Sequence, residues 1–257
     1  MKIRIIQWNI SITSNPELIC KYLESKIISD TIICLQEVSE KAFNTIKATL
    51  KPTSSVFSLN LRIPGKNEGK NRRMGVATLS FGPKIKSSDL LHRSVFPERT
   101  LFTKFKIKNK QISVLNFHSL TGVGYKKAKS SNFASIADFF ESNIIDFACF
   151  DANEPKVDSM ISSKIEFWDN GDKGHNAGLI LGEHKVHNLS DSYIIYLNKL
   201  GKAFRKNPLT LSHKTNGTPR RYDYILNSPN WKPESIIYPY KESIKASSDH
   251  SAVIADF

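Results

Sequence analysis

At 257 residues and 40% apolar content, the chain is long enough for one large core, and no Pro/Gly/Ser-rich linker divides it, so a single domain over 1–257 is expected. Thirty-seven Lys and Arg against 24 Asp and Glu leave a formal charge of +13, which favours polyanionic partners such as nucleic acid. No run approaches the roughly 18 apolar residues of a membrane span, and residues 2–10 read as a strand instead of a leader, so a cytoplasmic protein without a membrane partner is expected.

In chain order, Ile3–Trp8 predicts a buried strand, and Ser14-Asn15-Pro16 supplies a capping signal for a helix running to about Ile28. Thr31–Gln36 reads as a wholly apolar strand and Ser39–Leu50 as a short helix. Strands follow at Val56–Leu61, Gly75–Ser80, Ile85–Leu91, Thr100–Ile107 and Ile112–Phe117, with a tight turn at Lys108-Asn109-Lys110. Phe133, Ile136, Ala137 and Phe140 recur at helical spacing within Tyr125–Glu141, which crosses over to a strand at Ile145–Phe150. Asp169–Asn176 reads as a loop and Ser190–Leu200 as a helix capped by Ser190 or Asp191; Tyr222–Asn227, Ser235–Tyr238 and Ser251–Phe257 close a layered α/β fold of about ten strands. Cys20, Cys34 and Cys149 lie far apart inside apolar runs with no C-x-x-C pair, and are expected to be buried thiols.

Against this apolar background, polar groups recur at strand ends. Asn9 ends the first strand, Glu37 the second, His118 follows V-L-N-F, Asp151 and Asn153 follow F-A-C-F, Asp223 interrupts R-Y-D-Y-I-L, and Asp249-His250 precedes the last strand. One such residue is ordinary loop chemistry; six repeats of the same placement point to a shared site. Carboxylates gathered there repel one another unless a cation lies between them, and an all-oxygen set favours Mg2+ or Mn2+ over Zn2+.

The ordered strings W-N-I at 8–10, L-Q-E at 35–37, N-F-H at 116–118, D-A-N at 151–153, R-Y-D-Y-I at 221–225 and S-D-H at 248–250 resemble the motif series of the endonuclease/exonuclease/phosphatase (deoxyribonuclease-I-like) superfamily. The resemblance spans nearly the whole chain. It implies a four-layer α/β sandwich, two packed mixed sheets flanked by helices, and a Mg2+-dependent phosphodiesterase. It further implies that Glu37, Asn9 and Asp249 form a metal group. Asp151 would orient or deprotonate water, Asn153 and His118 would contact the phosphate, and Asp223–His250 would be an acid/base dyad. Arg99 in F-P-E-R resembles a phosphate-contacting arginine of nuclease branches. Two positions depart from the usual pattern: Phe150 stands where a glycine commonly precedes D-x-N, and Ser11 where apurinic endonucleases are often acidic. Those enzymes typically carry a tyrosine at the position of His118. No glutamate can be assigned as a partner of His118, with Glu68 and Glu98 the candidates.

Several basic residues cluster near these motifs: Lys66, Lys70, Arg72 and Arg73; Lys126, Lys127 and Lys129; Lys214, Arg220 and Arg221. They would track a nucleic-acid backbone without reading its sequence, so the expected substrate is nucleic acid, DNA above all. The competing readings are an inositol-phosphate phosphatase or sphingomyelinase-like lipid phosphodiesterase, and a catalytically silent binding platform. No obligate protein partner is indicated. His184 and His187, three apart, lack a third metal ligand nearby, and His213 lies in a segment expected to border the cleft.

Overall fold

The computed structural model describes residues 2–68, 72–168, 175–201 and 206–257. Lys70 and residues 169–174 of the expected 169–176 loop lie outside them. In chain order the strands are β1 (Arg4–Asn9), β2 (Thr31–Val38), β3 (Ser54–Phe57), β4 (Gly75–Phe81), β5 (Lys84–Asp89), β6 (Thr100–Ile107) and β7 (Lys110–His118). They continue as β8 (Phe147–Asp151), β9 (Ser190–Asp191), β10 (His213–Thr215), β11 (Thr218–Arg220), β12 (Asp223–Asn227), β13 (Ser235–Ile237) and β14 (Val253–Asp256). The helices are α1 (Pro16–Glu24), α2 (Glu40–Leu50), α3 (Ser58–Leu61), α4 (Gly122–Tyr125), α5 (Lys127–Ser142), α6 (Gly178–Leu181), α7 (Ser192–Lys199) and α8 (Tyr240–Lys245).

Two six-stranded sheets result, ordered β13-β14-β1-β2-β4-β3 and β5-β6-β7-β8-β12-β9. Each has one parallel pair at its centre, β1 with β2 and β7 with β8, flanked by antiparallel β14 and β12. The C-terminal ends of the central pairs and the N-terminal ends of β12 and β14 therefore lie at the same end. This connectivity carries six separate sequence motifs to one edge of the sandwich.

The period-2 alternation of strands decides what lies between the sheets. Ile3 and Ile5, Ile32 and Cys34, Ile112 and Val114, Phe147 and Cys149, and Val253 and Ala255 share one inter-sheet cluster. Their neighbours face outward: Ile6, Trp8, Ile33 and Leu35 pack with α1 and α2 residues such as Ile19, Leu23 and Phe43, and Leu115, Phe117, Ala148 and Phe150 with α5 residues such as Phe133 and Ile136. All three cysteines are free and buried, as expected.

Local signals set several boundaries. The Asn15 side chain accepts from the amides of Glu17 and Leu18, Ser39 accepts from Ala42, and Asp191, not Ser190, caps α7 through Tyr193 and Ile194. The first helix stops at Glu24, short of Ile28. The expected strand Val56–Leu61 is instead β3 followed by the turn of α3. The Ser58 hydroxyl, buried there, donates to the Glu98 carbonyl at 2.6 Å and accepts from Val76 N at 2.9 Å, which turns the chain out of the sheet. Gly75 is required at this corner because a Cβ on it would collide with Ser58 Oγ. The expected helix over 125–141 is broken at Lys126, at φ 46°, into α4 and α5. Asn216-Gly217, at φ 49° and 80°, forms the two-residue turn joining β10 and β11. That hairpin was readable from its Asn-Gly dipeptide, yet its strands are too short and polar to stand out by hydrophobic pattern.

Phe147 is fully buried between the sheets, its ring 5.0 Å from Trp231 and 4.8 Å from Phe257. Phe147→Ala should lower the unfolding free energy by about 3–5 kcal/mol in a urea titration, with the denaturant slope unchanged. A loss below about 1 kcal/mol would contradict its role in joining the sheets.

Candidate active site

The inner-facing row of each central strand changes character toward the convergent edge. In β1 it runs Ile5, Gln7, Asn9; in β2 Ile32, Cys34, Gln36; in β7 Val114, Asn116, His118; and in β8 Phe147, Cys149, Asp151. The amides make a buried chain across the sheets. Gln7 Nε2 donates to Asp223 Oδ1 at 3.0 Å and to Gln36 Oε1 at 2.8 Å, Gln36 Nε2 donates to Asn116 Oδ1 at 2.8 Å, and Asn116 Nδ2 donates to the Ala77 carbonyl at 2.9 Å.

Above this layer, Asp151 Oδ2 is the atom on which the polar side chains converge. Asn9 Nδ2 donates to it at 2.9 Å, and the Nε2 atoms of His118 and His250 lie 3.6 and 3.9 Å away. Its other oxygen accepts from Asn153 N at 2.8 Å. Burial raises the Asp151 carboxyl above the usual range and the Asp223 charge adds to this, while His250 and His118 oppose it. The group is thereby suited to accept a proton.

The two histidines are driven in opposite directions. His250 Nδ1 lies 2.8 Å from Asp223 Oδ2; burial opposes its charge, but the Asp223 and Asp151 carboxylates overcome it and raise the group to about 10. His118 is lowered to about 3, by burial first and then by the charge of Arg99. At neutral pH one imidazole is a cation and the other is neutral.

Glu37 lies at the lip of the cleft, its side chain 23% exposed. An irregularity in the β2–β4 register between Leu35 and Val38 and a φ of 55° turn it away from the direction that strand alternation would give. Its oxygens accept from Asn9 Nδ2 at 3.2 Å and Ile12 N at 3.1 Å, and His118 Nε2 lies 3.7 Å away. Asn9 presents its NH2 group to both carboxylates because its carbonyl oxygen is taken by Ser11 N at 3.0 Å. Its amide thereby orients Glu37 and Asp151.

Asn153, at φ 49°, donates to the Ser119 carbonyl at 3.1 Å with its amide 3.4 Å from His118 Nε2. Arg99 is buried in the turn before β6, donates to the Tyr125 hydroxyl at 3.1 Å, and bears electrostatically on His118. Asp249 is exposed, with a carboxylate oxygen within 4.8 Å of ring nitrogens of His213 and His250. The structure thus gathers Asn9, Glu37, His118, Asp151, Asn153, Asp223 and His250 around one centre, with the Arg99 charge acting on His118 and Asp249 near His250.

Several expectations need correction. Glu98 is buried in ion pairs with Arg72 at 2.6 Å and Arg62 at 3.2 Å, and Glu68 pairs with Arg62, so neither serves His118; its nearest carboxylates are Asp151 and Glu37. Arg72 is consequently an internal partner. Arg221 is buried between Asp158 and Asp191, and Lys129 is buried against Glu154. These three cations are unavailable to a polyanion. His187 bridges Ile180 O and Leu189 N within a turn, and burial lowers it to about 4; His184 is exposed. Among the described residues, neither belongs to a group able to hold a metal.

Other contributors escaped sequence reasoning. Gln7 was visible only as a polar residue of inward parity inside an apolar strand. Tyr238, whose hydroxyl donates to the Asp223 carbonyl at 2.9 Å, acts from outside the motifs, and Ser248, within the S-D-H string, donates to Asn9 O at 2.7 Å and accepts from His250 N at 3.0 Å. Lys129 Nζ donates to Asn153 O at 2.8 Å and to Glu154 Oε1 at 2.5 Å. Burial raises Glu154 to about 7 against the opposing influence of Lys129. Lys129→Met should cost about 3–5 kcal/mol in urea unfolding by leaving a buried acid unpaired, and Lys129→Met/Glu154→Gln should regain most of it. Equal losses in the single and double variants would refute the pairing argument.

No family model and no curated protein matches the sequence. Solved structures do match over nearly the full chain. D. rerio TDP2 complexed with single-strand DNA product is 13% identical, covers 99% of this chain and 98% of its own, and superposes with a TM-score of 0.63. The human Nocturnin catalytic domain with bound sulfate is 17% identical, covering 99% and 93% with a TM-score of 0.66. An AP endonuclease from Archaeoglobus fulgidus is 18% identical, covering 98% of each chain with a TM-score of 0.66. The chain therefore shares the fold of these structures, an α/β sandwich of two six-stranded mixed sheets flanked by helices, as the motif series implied.

Proposed function

We propose that this chain is a metal-dependent phosphodiesterase that hydrolyses nucleic acid, acting as a DNA endonuclease of low sequence specificity in the cytoplasm. The observation that carries this reading is geometric: the buried Asp151 carboxylate lies 3.6 Å from His118 Nε2 and 3.9 Å from His250 Nε2, with Asp223 2.8 Å from His250 Nδ1. A phosphodiester needs a water deprotonated in line, positive groups around its non-bridging oxygens, and assistance to the leaving alkoxide.

Asp151 is the proton acceptor, being raised by burial and held by Asn9 and Asn153 N. His250 presents a cation to the developing phosphoryl charge, and Asp223 keeps its ring oriented. Asn153 Nδ2 and His118 Nε2 offer hydrogen bonding, with Arg99 contributing charge near His118. Glu37, partly exposed and free of a paired cation among the described residues, fits a hard ion that binds through one carboxylate and retains most of its water. Mg2+, or Mn2+, held there would stabilise charge on the phosphate and leaving oxygens. Asp249 adds negative charge near His250 and His213.

Nucleic acid is favoured over smaller phosphoesters by the cations that remain exposed. Lys126 and Lys127 follow the His118 side, Lys214 lies on the hairpin beside His250, and Lys66 and Arg73 are also exposed. The neighbour crystallised with single-strand DNA product supports the same substrate class.

The test is hydrolysis of supercoiled plasmid, single-stranded DNA, RNA and inositol phosphates with and without Mg2+. Plasmid nicking should require the metal, stop with EDTA, and fall by about 10²-fold or more in Glu37→Ala and His250→Ala. Cleavage of a phosphomonoester with all nucleic acids intact would overturn the nuclease assignment. Absence of turnover and of Mg2+ binding would instead establish a binding platform.

A further inference from the structure

The β10–β11 hairpin belongs to neither large sheet. None of its residues enters an apolar cluster, and Lys214 and residues 216–219 are exposed. A two-stranded ribbon of this size is marginal by itself, so its placement depends on its anchors. Beside the Arg220 guanidinium, which donates to the Lys156 carbonyl, anchors lie on the two segments that carry the Asp223–His250 dyad. Ser212 Oγ accepts from Tyr222 N at 2.8 Å and Asp223 N at 3.3 Å, and Ser212 O accepts from Ser251 N at 2.7 Å. The residue that follows this anchor is His213.

His213 lies face to face with His250, their centroids 4.2 Å apart and planes 21° apart, and Tyr222 lies behind it at 5.9 Å and 25°. Its Nδ1 lies 3.2 Å from the Asp249 carbonyl, which limits rotation of the ring. The hydrogen bond from His250 Nδ1 to Asp223 fixes one point of the His250 ring and leaves the ring free to tilt about that line. A parallel ring against the face removes the tilt. From this geometry we infer that His213 is a positioning residue that sets the plane of His250, and that the hairpin exists to deliver it.

The inference rests on the phosphodiesterase reading for its kinetic consequence, but the ring placement is measurable without turnover. His213→Ala should reduce kcat on plasmid about ten-fold with KM held within about two-fold, whereas His213→Phe, which keeps a stacking ring, should return kcat to within about two-fold of the parent. Thermal midpoints of both variants should match the parent because the hairpin contributes no core residue. In the imidazole 1H–15N spectrum, the His250 Nδ1–H resonance should broaden in His213→Ala and remain sharp in His213→Phe. The inference is overturned if that resonance is unchanged in His213→Ala, or if His213→Phe is as slow as His213→Ala, which would make the His213 nitrogen a substrate contact. Should the parent cleave no nucleic acid, the nuclease reading fails while the resonance still decides the positioning role.

Discussion

The arrangement depends on one hydrogen-bonded crossing between the sheets, in which Gln7 Nε2 joins Asp223 of one sheet to Gln36 of its own. All three residues are fully buried. In that setting a lost partner costs about 1–3 kcal/mol, so the amides are held to one register in which each donor meets its acceptor. Apolar packing alone tolerates small slides of one sheet over another. The crossing from Asp223 through Gln7 and Gln36 to Asn116 does not, and it places Asp223 beneath His250 while fixing β1, β2 and β7 beside β12.

The site above that layer is built on backbone conformations that ordinary residues avoid. Glu37 and Asn153 both have positive φ, a cost of about 1–3 kcal/mol each that persists only when the surroundings impose it. For Glu37 the surroundings are the irregular β2–β4 register and bonds from Asn9 and Ile12. For Asn153 they are the buried Lys129, the Ser119 carbonyl and the Asp151 side chain. In both cases the strained residue turns its side chain where strand alternation would not direct it. The same logic explains why Lys129, basic and close in sequence to His118, supports the site from inside.

Much of this was legible in the chain. Apolar runs at Ile3–Trp8 and Thr31–Gln36 match the observed strands closely because burial on both faces demands such runs. The polar residues that end such runs stood out for the same reason, and the structure gathers seven of them. What escaped were properties that depend on a distant partner. Nothing local to Ser58 announces that Glu98 O will capture its hydroxyl and turn a strand into a helix. Nothing local to Arg72, Lys129 or Arg221 separates a surface cation from one enclosed by Glu98, Glu154 or by Asp158 and Asp191. Nothing local to Asn9 announces that its amide will reach both Glu37 and the distant Asp151.

Those enclosed cations also change how the charge of +13 should be understood. A guanidinium enclosed by carboxylates, as Arg221 is by Asp158 and Asp191, contributes to net charge but offers no counterion-releasing contact to a phosphate backbone. The field that a polyanion meets comes from exposed groups on both flanks of the cleft, with Lys126 and Lys127 beyond His118 and Lys214 on the hairpin beside His250. Between those flanks, the buried carboxylates of Asp151 and Asp223 would repel a phosphate if they acted alone. Asp223 is compensated by the His250 cation, and Asp151 lies between that cation and His118. The partly exposed carboxylate of Glu37 remains at the lip, and under the proposed phosphodiesterase reading a divalent cation held there would compensate it.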